Sequence, residues 1–257
     1  MPEPARSRLR PTSMTRNLIR TSMLLTAILC LAACGSEPTD GKSEAGKAEP
    51  TPAKVGQCPT DSPAVVSART VATADLDGDG KSEAVKLTAP DGDCANLLFA
   101  KLGENYVHTQ LPLNAPPLAK AFAVDVPGRE GALLVTRQDH PRGGFQLRLY
   151  AAGPDELVEL KVDDQPVVPF VALDVQERPL SVDCTDGGVV VTEAVAHKPP
   201  GVIFAWDIQR TTYAVKDGEV TAGETEEIAD NVLPAQLRSK YPELVDYSLF
   251  KSCRAGS

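Results

Sequence analysis

The chain has 257 residues, 26 of them basic and 35 acidic, for a formal charge of −9. A field of that sign repels nucleic-acid phosphates and anionic lipid headgroups while favouring cations and basic partners. Composition therefore argues against nucleic-acid binding, and the length allows one good core or two small ones.

The first element in chain order does not read as part of a folded domain. Arg16 and Arg20 precede the apolar run Met23-Leu24-Leu25-Thr26-Ala27-Ile28-Leu29-Cys30-Leu31-Ala32-Ala33, which has the length of an export-signal core and is short for a bilayer span. The run closes on Leu31-Ala32-Ala33-Cys34-Gly35, which resembles the bacterial lipobox. That resemblance implies a bacterial lipoprotein: residues 1–33 are a signal peptide, cleavage falls before Cys34, and lipid on Cys34 tethers the protein to the outside of the cell membrane. Residues 1–13 add three arginines without extending the pattern, so Met14 reads as the true start. Two or more acyl chains, at about 0.8 kcal/mol per buried methylene, make such a tether durable. Losing residues 1–33 removes five arginines and one glutamate, which leaves 21 basic against 34 acidic side chains, or −13. Residues 34–57 carry almost no large apolar side chain. Burial there is too small to offset the entropy of ordering, and the segment reads as a lipid-anchored flexible linker.

Residues 58–257 read as a β-repeat domain. Once Cys30 and Cys34 are set aside, Cys58, Cys94, Cys184 and Cys253 remain in an oxidising compartment, where four cysteines most simply form two disulfides. Of the three connectivities, Cys58 with Cys94 and Cys184 with Cys253 is favoured, because it staples both ends of the domain to its body. A four-thiolate zinc site would need close cysteine pairs, and these cysteines have none.

From Cys58 to Glu227, short apolar runs alternate with Gly, Pro, Asp and Asn, the pattern of strands rather than helices. Three degenerate units align on Asp75, Asp125 and Asp183, each followed by a glycine turn and a strand: Ala84–Thr88, Ala132–Thr136 and Val189–Thr192. Each unit continues into a longer strand, a tight turn and a closing strand. In the units these are Leu97–Leu102 into Tyr106–Leu111, Phe145–Ala151 into Leu157–Val162, and Val202–Val215 into Val220–Ala222. The fold class expected is all-β, with antiparallel four-stranded blade-like repeats in a small or irregular propeller-like assembly. Three blades are too few to close an ordinary propeller, which leaves a strand near Ala64–Val71, the C-terminal segment, or an open stack of units to complete it. Val232, Leu233, Leu237 and Tyr241, between Pro234 and Pro242, predict one short C-terminal helix over 231–244, docked on the last unit through Cys253.

One motif carries chemistry. In Asp75-Leu76-Asp77-Gly78-Asp79-Gly80-Lys81-Ser82-Glu83, aspartates at loop positions 1, 3 and 5 supply hard oxygen ligands. Gly80 permits the sharp turn, the Lys81 carbonyl serves position 7 and Glu83 stands at position 9. Ca²⁺ fits this set, at a single structural site. An EF-hand would need a glutamate at position 12, where Lys86 stands in a strand pattern. Between strands such as Val71–Ala74 and Ala84–Leu87, the loop instead resembles the FG-GAP or VCBS repeat of integrin-like propellers and secreted bacterial proteins. The resemblance covers about twenty residues well and the rest only through the blade plan. Glu83 stands where that family usually has aspartate, and Asp125-Val126-Pro127-Gly128 and Asp183-Cys184-Thr185-Asp186 lack the ligand set, so one calcium is expected rather than three.

His140 and Arg142, with His197 and Lys198, fall in corresponding loops of the second and third units and form candidate binding loops at one end of the repeats. The chain has no Gly-x-Ser-x-Gly elbow, His-Glu-x-x-His pair or phosphate loop. The leading reading is a non-catalytic module that binds an envelope protein or polysaccharide. The alternatives are an envelope polysaccharide hydrolase or lyase, which calls for two or more carboxylates buried in a cleft, and a purely structural assembly factor.

Overall fold

A computed structural model describes residues 53–171, 178–196 and 205–255, all within one compact unit. The signal segment, Cys34 and the linker through Pro52 lie outside the described residues, as do His197 and Lys198. The fold begins earlier than the sequence pattern suggested. Val55, at the end of the segment read as linker, is fully buried, and β1 (Lys54–Val55) pairs with β2 (Cys58–Pro59). Only one apolar residue marks this start, so composition alone placed it in the linker.

Next come α1 (Pro63–Val66) and a four-stranded antiparallel meander of β3 (Arg69–Ala74), β4 (Glu83–Leu87), β5 (Leu97–Leu102) and β6 (Asn105–Gln110). The strand expected around Ala64–Val71 divides here. Ser62 caps α1 by accepting from the Val65 N–H, Pro63 pre-sets the first helical turn, and extended structure starts only at Arg69.

The second meander is β7 (Leu118–Asp125), β8 (Leu133–Asp139), β9 (Phe145–Ala152) and β10 (Leu157–Glu159), followed by a hairpin of β11 (Lys161–Val162) and β12 (Gln165–Pro166). The third is β13 (Leu180–Thr185), β14 (Gly188–Ala196), β15 (Trp206–Lys216) and β16 (Glu219–Val232). Asp217 and Gly218 both have positive φ, 51° and 78°, as a two-residue hairpin turn with the right twist requires. The three units expected from the sequence are thus three antiparallel sheets. The closing strand of the third is much longer than Val220–Ala222. Residues 223–231 are mostly exposed and polar, so no alternation betrays them; pairing with β15 holds them extended, and only Ile228 and Ala229 pack against the apolar cluster around Trp206.

The sheets stack in sequence order. The second is buried on both faces, and Leu133, Leu134, Val135 and Thr136 of β8 are all nearly inaccessible. Leu134 and Tyr150 face Val85, Leu98 and Val107 of the first sheet, while Leu133, Leu147 and Leu149 face Val182, Val189 and Val191 of the third. The outer face of the first sheet, with Leu97 and Phe99, is covered by Val55, Cys58 and Val65.

The outer face of the third sheet, with Ala194, Trp206 and Ile208, is covered by Leu237 and Leu244 of two short helices, α2 (Pro234–Lys240) and α3 (Pro242–Val245). The single helix expected over 231–244 is therefore two. Tyr241 precedes a proline and takes φ −132° and ψ 54°, outside the helical region, so Pro242 opens a second helix rather than closing the first. With both end faces covered, the repeats form an open stack and not a ring. Finally β17 (Arg254–Ala255) pairs with β7, adding a fifth strand to the central sheet.

Both disulfides join the pairs favoured from sequence. Cys58–Cys94 has a Cα separation of 6.0 Å and ties the N-terminal cover to the first sheet; Cys184–Cys253, at 5.0 Å, ties the C-terminal segment to β13. Across loops of 36 and 69 residues, each is worth roughly 4 kcal/mol in the chain-entropy description. They place the folded domain in an oxidising, extracytoplasmic setting. Among the described residues no helix is long and apolar enough to cross a membrane.

Candidate functional site

The aspartate loop joins β3 to β4. It is held as a nest of carboxylate-to-backbone bonds. Asp75 accepts from the Gly78 N–H through Oδ1 at 2.7 Å and from the Gly80 N–H through Oδ2 at 2.9 Å. Asp77 Oδ1 accepts from the Asp79 N–H at 3.2 Å, and Glu83 Oε2 reaches back to the Leu76 N–H at 3.0 Å. Gly78 and Gly80 take φ of 79° and 84°, conformations that glycine adopts without steric cost.

Oxygen atoms of Asp75, Asp77 and Glu83 lie within 4.8 Å of one another. Three carboxylates this close fit a hard divalent cation, which would relieve their mutual repulsion. Burial holds the Glu83 carboxyl above its ordinary range, the charges of Asp77, Asp75 and Asp79 add to this, and the Leu76 N–H opposes it. Asp79 departs from the expected ligand set. Its carboxylate turns away to Lys81, accepting from both Nζ and the backbone N–H at 2.8 Å, and the ammonium holds its pKa below the ordinary value. An exposed lysine two residues along offers Asp79 a counter-charge without crowding it against Asp75 and Asp77. The Lys81 side chain thus serves as partner to Asp79.

The second sheet supports the loop from behind. The Ala132 N–H donates to Asp75 O at 2.7 Å, and Gly131, at φ 68°, comes so near that a Cβ there would lie 2.2 Å from Leu76 O. Second and third sheets meet in a similar way, where the Gly187 N–H donates to Pro127 O at 2.6 Å. A cleft of about 430 Å³ opens beside the loop where turns of all three sheets gather, lined by Asp77, Arg129, Glu130, Gly153, Lys216 and Asp217. The Arg129 guanidinium donates to Gly131 O, and burial draws its pKa below the ordinary arginine value.

His140 and Arg142 lie in the exposed turn between β8 and β9. The Arg142 N–H donates to His140 Nδ1 at 3.3 Å, and the His140 ring stands edge-on to Phe170 at 5.8 Å. Their expected companions, His197 and Lys198, lie outside the described residues. The contact with Phe170 directs attention to a feature that sequence reasoning missed. A cleft of about 510 Å³ lies between the β11–β12 hairpin and the third sheet, lined by Gln146, Phe170, Arg178, Glu193 and Tyr213 among others. These residues are spread over nearly seventy positions and meet only because the second sheet packs on the third; no local pattern announces them.

No protein family, no curated protein and no solved structure matches the chain. The reading of its function therefore rests on the fold and on these sites.

Proposed function

We propose that this is a lipid-anchored extracytoplasmic β-repeat protein, with one structural calcium loop, that acts as a non-catalytic binding module for an envelope protein or polysaccharide. The observation that carries the reading is the position of Asp75–Glu83. The loop joins the first two strands of a four-stranded meander built three times over, the position that the FG-GAP or VCBS resemblance calls for. Asp75, Asp77 and Glu83 would hold the ion through side-chain oxygens and Lys81 through its carbonyl, with Asp79 joining them on release from its ammonium partner. Bound there, calcium would neutralise the carboxylates behind which Gly131 and Ala132 of the second sheet pack. Export and anchoring through Cys34 follow from the lipobox resemblance, and the two disulfides are consistent with that destination.

The reading is tested on the mature chain by calorimetric titration with CaCl₂, followed by screening envelope glycans and envelope proteins for binding. A saturable one-site calcium isotherm with a ligand found in the screen is the expected result. No calcium heat, no thermal shift and no ligand, alongside reproducible turnover of an envelope polymer, would reverse it. Labelling with a radiolabelled fatty acid, lost on Cys34→Ser, tests the anchor.

A further inference from the structure

We infer that the outer edge of β16, over residues 223–231, is a docking site for a basic, extended polypeptide segment that adds a strand to the third sheet. The inference deepens the binding-module reading by naming a protein strand as the partner, and it rests on that reading. β16 ends the third sheet on one side, so one row of its backbone N–H and C=O groups faces away from β15. At 14 residues it is the longest edge strand of the three sheets; β3, β6 and β13 have six each, β10 three and β17 two. The opposite edge of the same sheet is already taken, since the Val182 N–H donates to Ser248 O at 3.1 Å and Val182 O accepts from the Phe250 N–H. Along 223–231 the backbone pairs, among the described residues, with β15 alone. An unpaired edge of that length is a template for another strand.

Charge decides which strand it takes. Glu224, Glu226, Glu227 and Asp230 are exposed, and the stretch carries no basic residue. Only Glu226 has an ion-pair partner among the described residues, Arg210 at 3.9 Å, and both side chains of that pair remain exposed. A second copy of this edge would set carboxylate against carboxylate, which destabilises a strand pair. The acidic excess of the whole chain opposes that pairing further. A segment with lysine or arginine at alternate positions reverses both effects: its cations stand opposite the carboxylates while its main chain completes the ladder. The charges that guard the edge against self-association thus leave it open to a basic strand.

The core does not account for the length of β16. Of residues 223–231 only Ile228 and Ala229 pack on the apolar cluster around Trp206, so the strand extends beyond what that cluster needs. Polysaccharide fits the stretch less well, because β16 has no aromatic ring to lie against a sugar face.

The test titrates the mature protein with a peptide as long as β16 that alternates lysine with threonine, read by calorimetry and by hydrogen exchange with mass spectrometry. The comparators are a glutamate–threonine peptide and a lysine–proline peptide of equal positive charge, in which proline disrupts strand pairing. The lysine–threonine peptide is expected to bind tenfold or more tighter than either and to slow exchange over residues 223–231. Joint replacement by Glu224→Gln, Glu226→Gln, Glu227→Gln and Asp230→Asn should weaken it tenfold or more. Asp61→Asn, Asp91→Asn, Asp93→Asn and Glu104→Gln together remove the same charge from exposed sites elsewhere and should weaken it less than threefold. Thermal melts establish that both variants are folded, and Glu224→Gln with Glu227→Gln serves if the four β16 replacements unfold the sheet. No binding of the lysine–threonine peptide, equal binding of the lysine–proline peptide, equal loss in the two variants, or binding without protection of residues 223–231 would each overturn the inference. Screening envelope proteins and glycans against both variants separates it from the reading beneath it. A ligand indifferent to the β16 replacements overturns the edge site and leaves the binding-module reading standing, whereas the absence of any ligand, the peptide included, sinks both.

Discussion

Replacing Gly131 by alanine should be among the most costly single-methyl additions to this fold. The residue sits at φ 68°, where an L side chain costs about 1–2 kcal/mol. Its added Cβ would lie 2.2 Å from Leu76 O and 2.8 Å from Leu76 C, both backbone atoms that no rotamer change can move aside. Forcing the second sheet away from the aspartate loop adds about 1–3 kcal/mol of overpacking. It also stretches the bond from Ala132 N–H to Asp75 O, for a total of about 2–5 kcal/mol. Gly103→Ala is the control: its φ is 56°, but nothing lies within 4 Å of the added methyl, so only the conformational cost of about 1–2 kcal/mol applies. Urea unfolding of both variants in EDTA, followed by far-ultraviolet circular dichroism, measures the difference, with equal m-values required for the comparison. If Gly131→Ala falls within 0.5 kcal/mol of Gly103→Ala, the first and second sheets do not meet at this turn and the loop is not supported as described.

Calcium at ten times its dissociation constant should stabilise the folded chain by about 1.4 kcal/mol, seen as an upward shift of the melting temperature that Asp75→Asn and Asp77→Asn abolish and Asp79→Asn only reduces. Breaking the Cys184–Cys253 bond by Cys253→Ser should cost about 2–5 kcal/mol and raise hydrogen exchange in β13 and β17 above that in β5, as mass spectrometry would register. Tyr150 is 2% exposed, and burial carries its phenol well above the ordinary value near 10. Above that value the unfolded chain loses the proton while the folded chain keeps it, so stability falls as pH rises. Tyr150→Phe should flatten the decline of the urea midpoint between pH 9 and 11, and an unchanged slope would refute the assignment.

What could be read from sequence follows from how local each signal is. Asp75–Glu83 carries its chemistry within nine residues, and the structure brings three of its carboxylates together. The exchange of Asp79 for a lysine partner depends on side-chain direction, which spacing does not encode. The meanders were legible because short apolar runs are broken by turns rich in Gly, Pro, Asp and Asn. The polar length of β16 and the burial of Val55 were not, since one is held by pairing with β15 and the other by a cover formed from distant residues. The wide cleft was the least legible, because Gln146, Arg178, Glu193 and Tyr213 share no element.

The stack accounts for what each of the two disulfides holds. In a row of repeats each sheet gains stability from its neighbours, so the terminal sheets have only one such interface and would fray first. The central sheet has an interface on each side, with Leu133 and Leu134 buried on opposite faces of β8. The two end faces are closed by short segments with little core of their own: α1 contributes one buried residue, Val65, and α2 and α3 contribute Leu237 and Leu244. Such covers bury too little apolar area to offset their ordering entropy unaided. Cys58–Cys94 fastens the N-terminal cover to the first sheet, whereas Cys184–Cys253 fastens the tail beyond α3, whose β17 joins the central sheet, to β13 on the side that packs against the central sheet. Cross-linking therefore secures one open end of the array and, at the other disulfide, the seam at which the C-terminal tail ties the third sheet to the second.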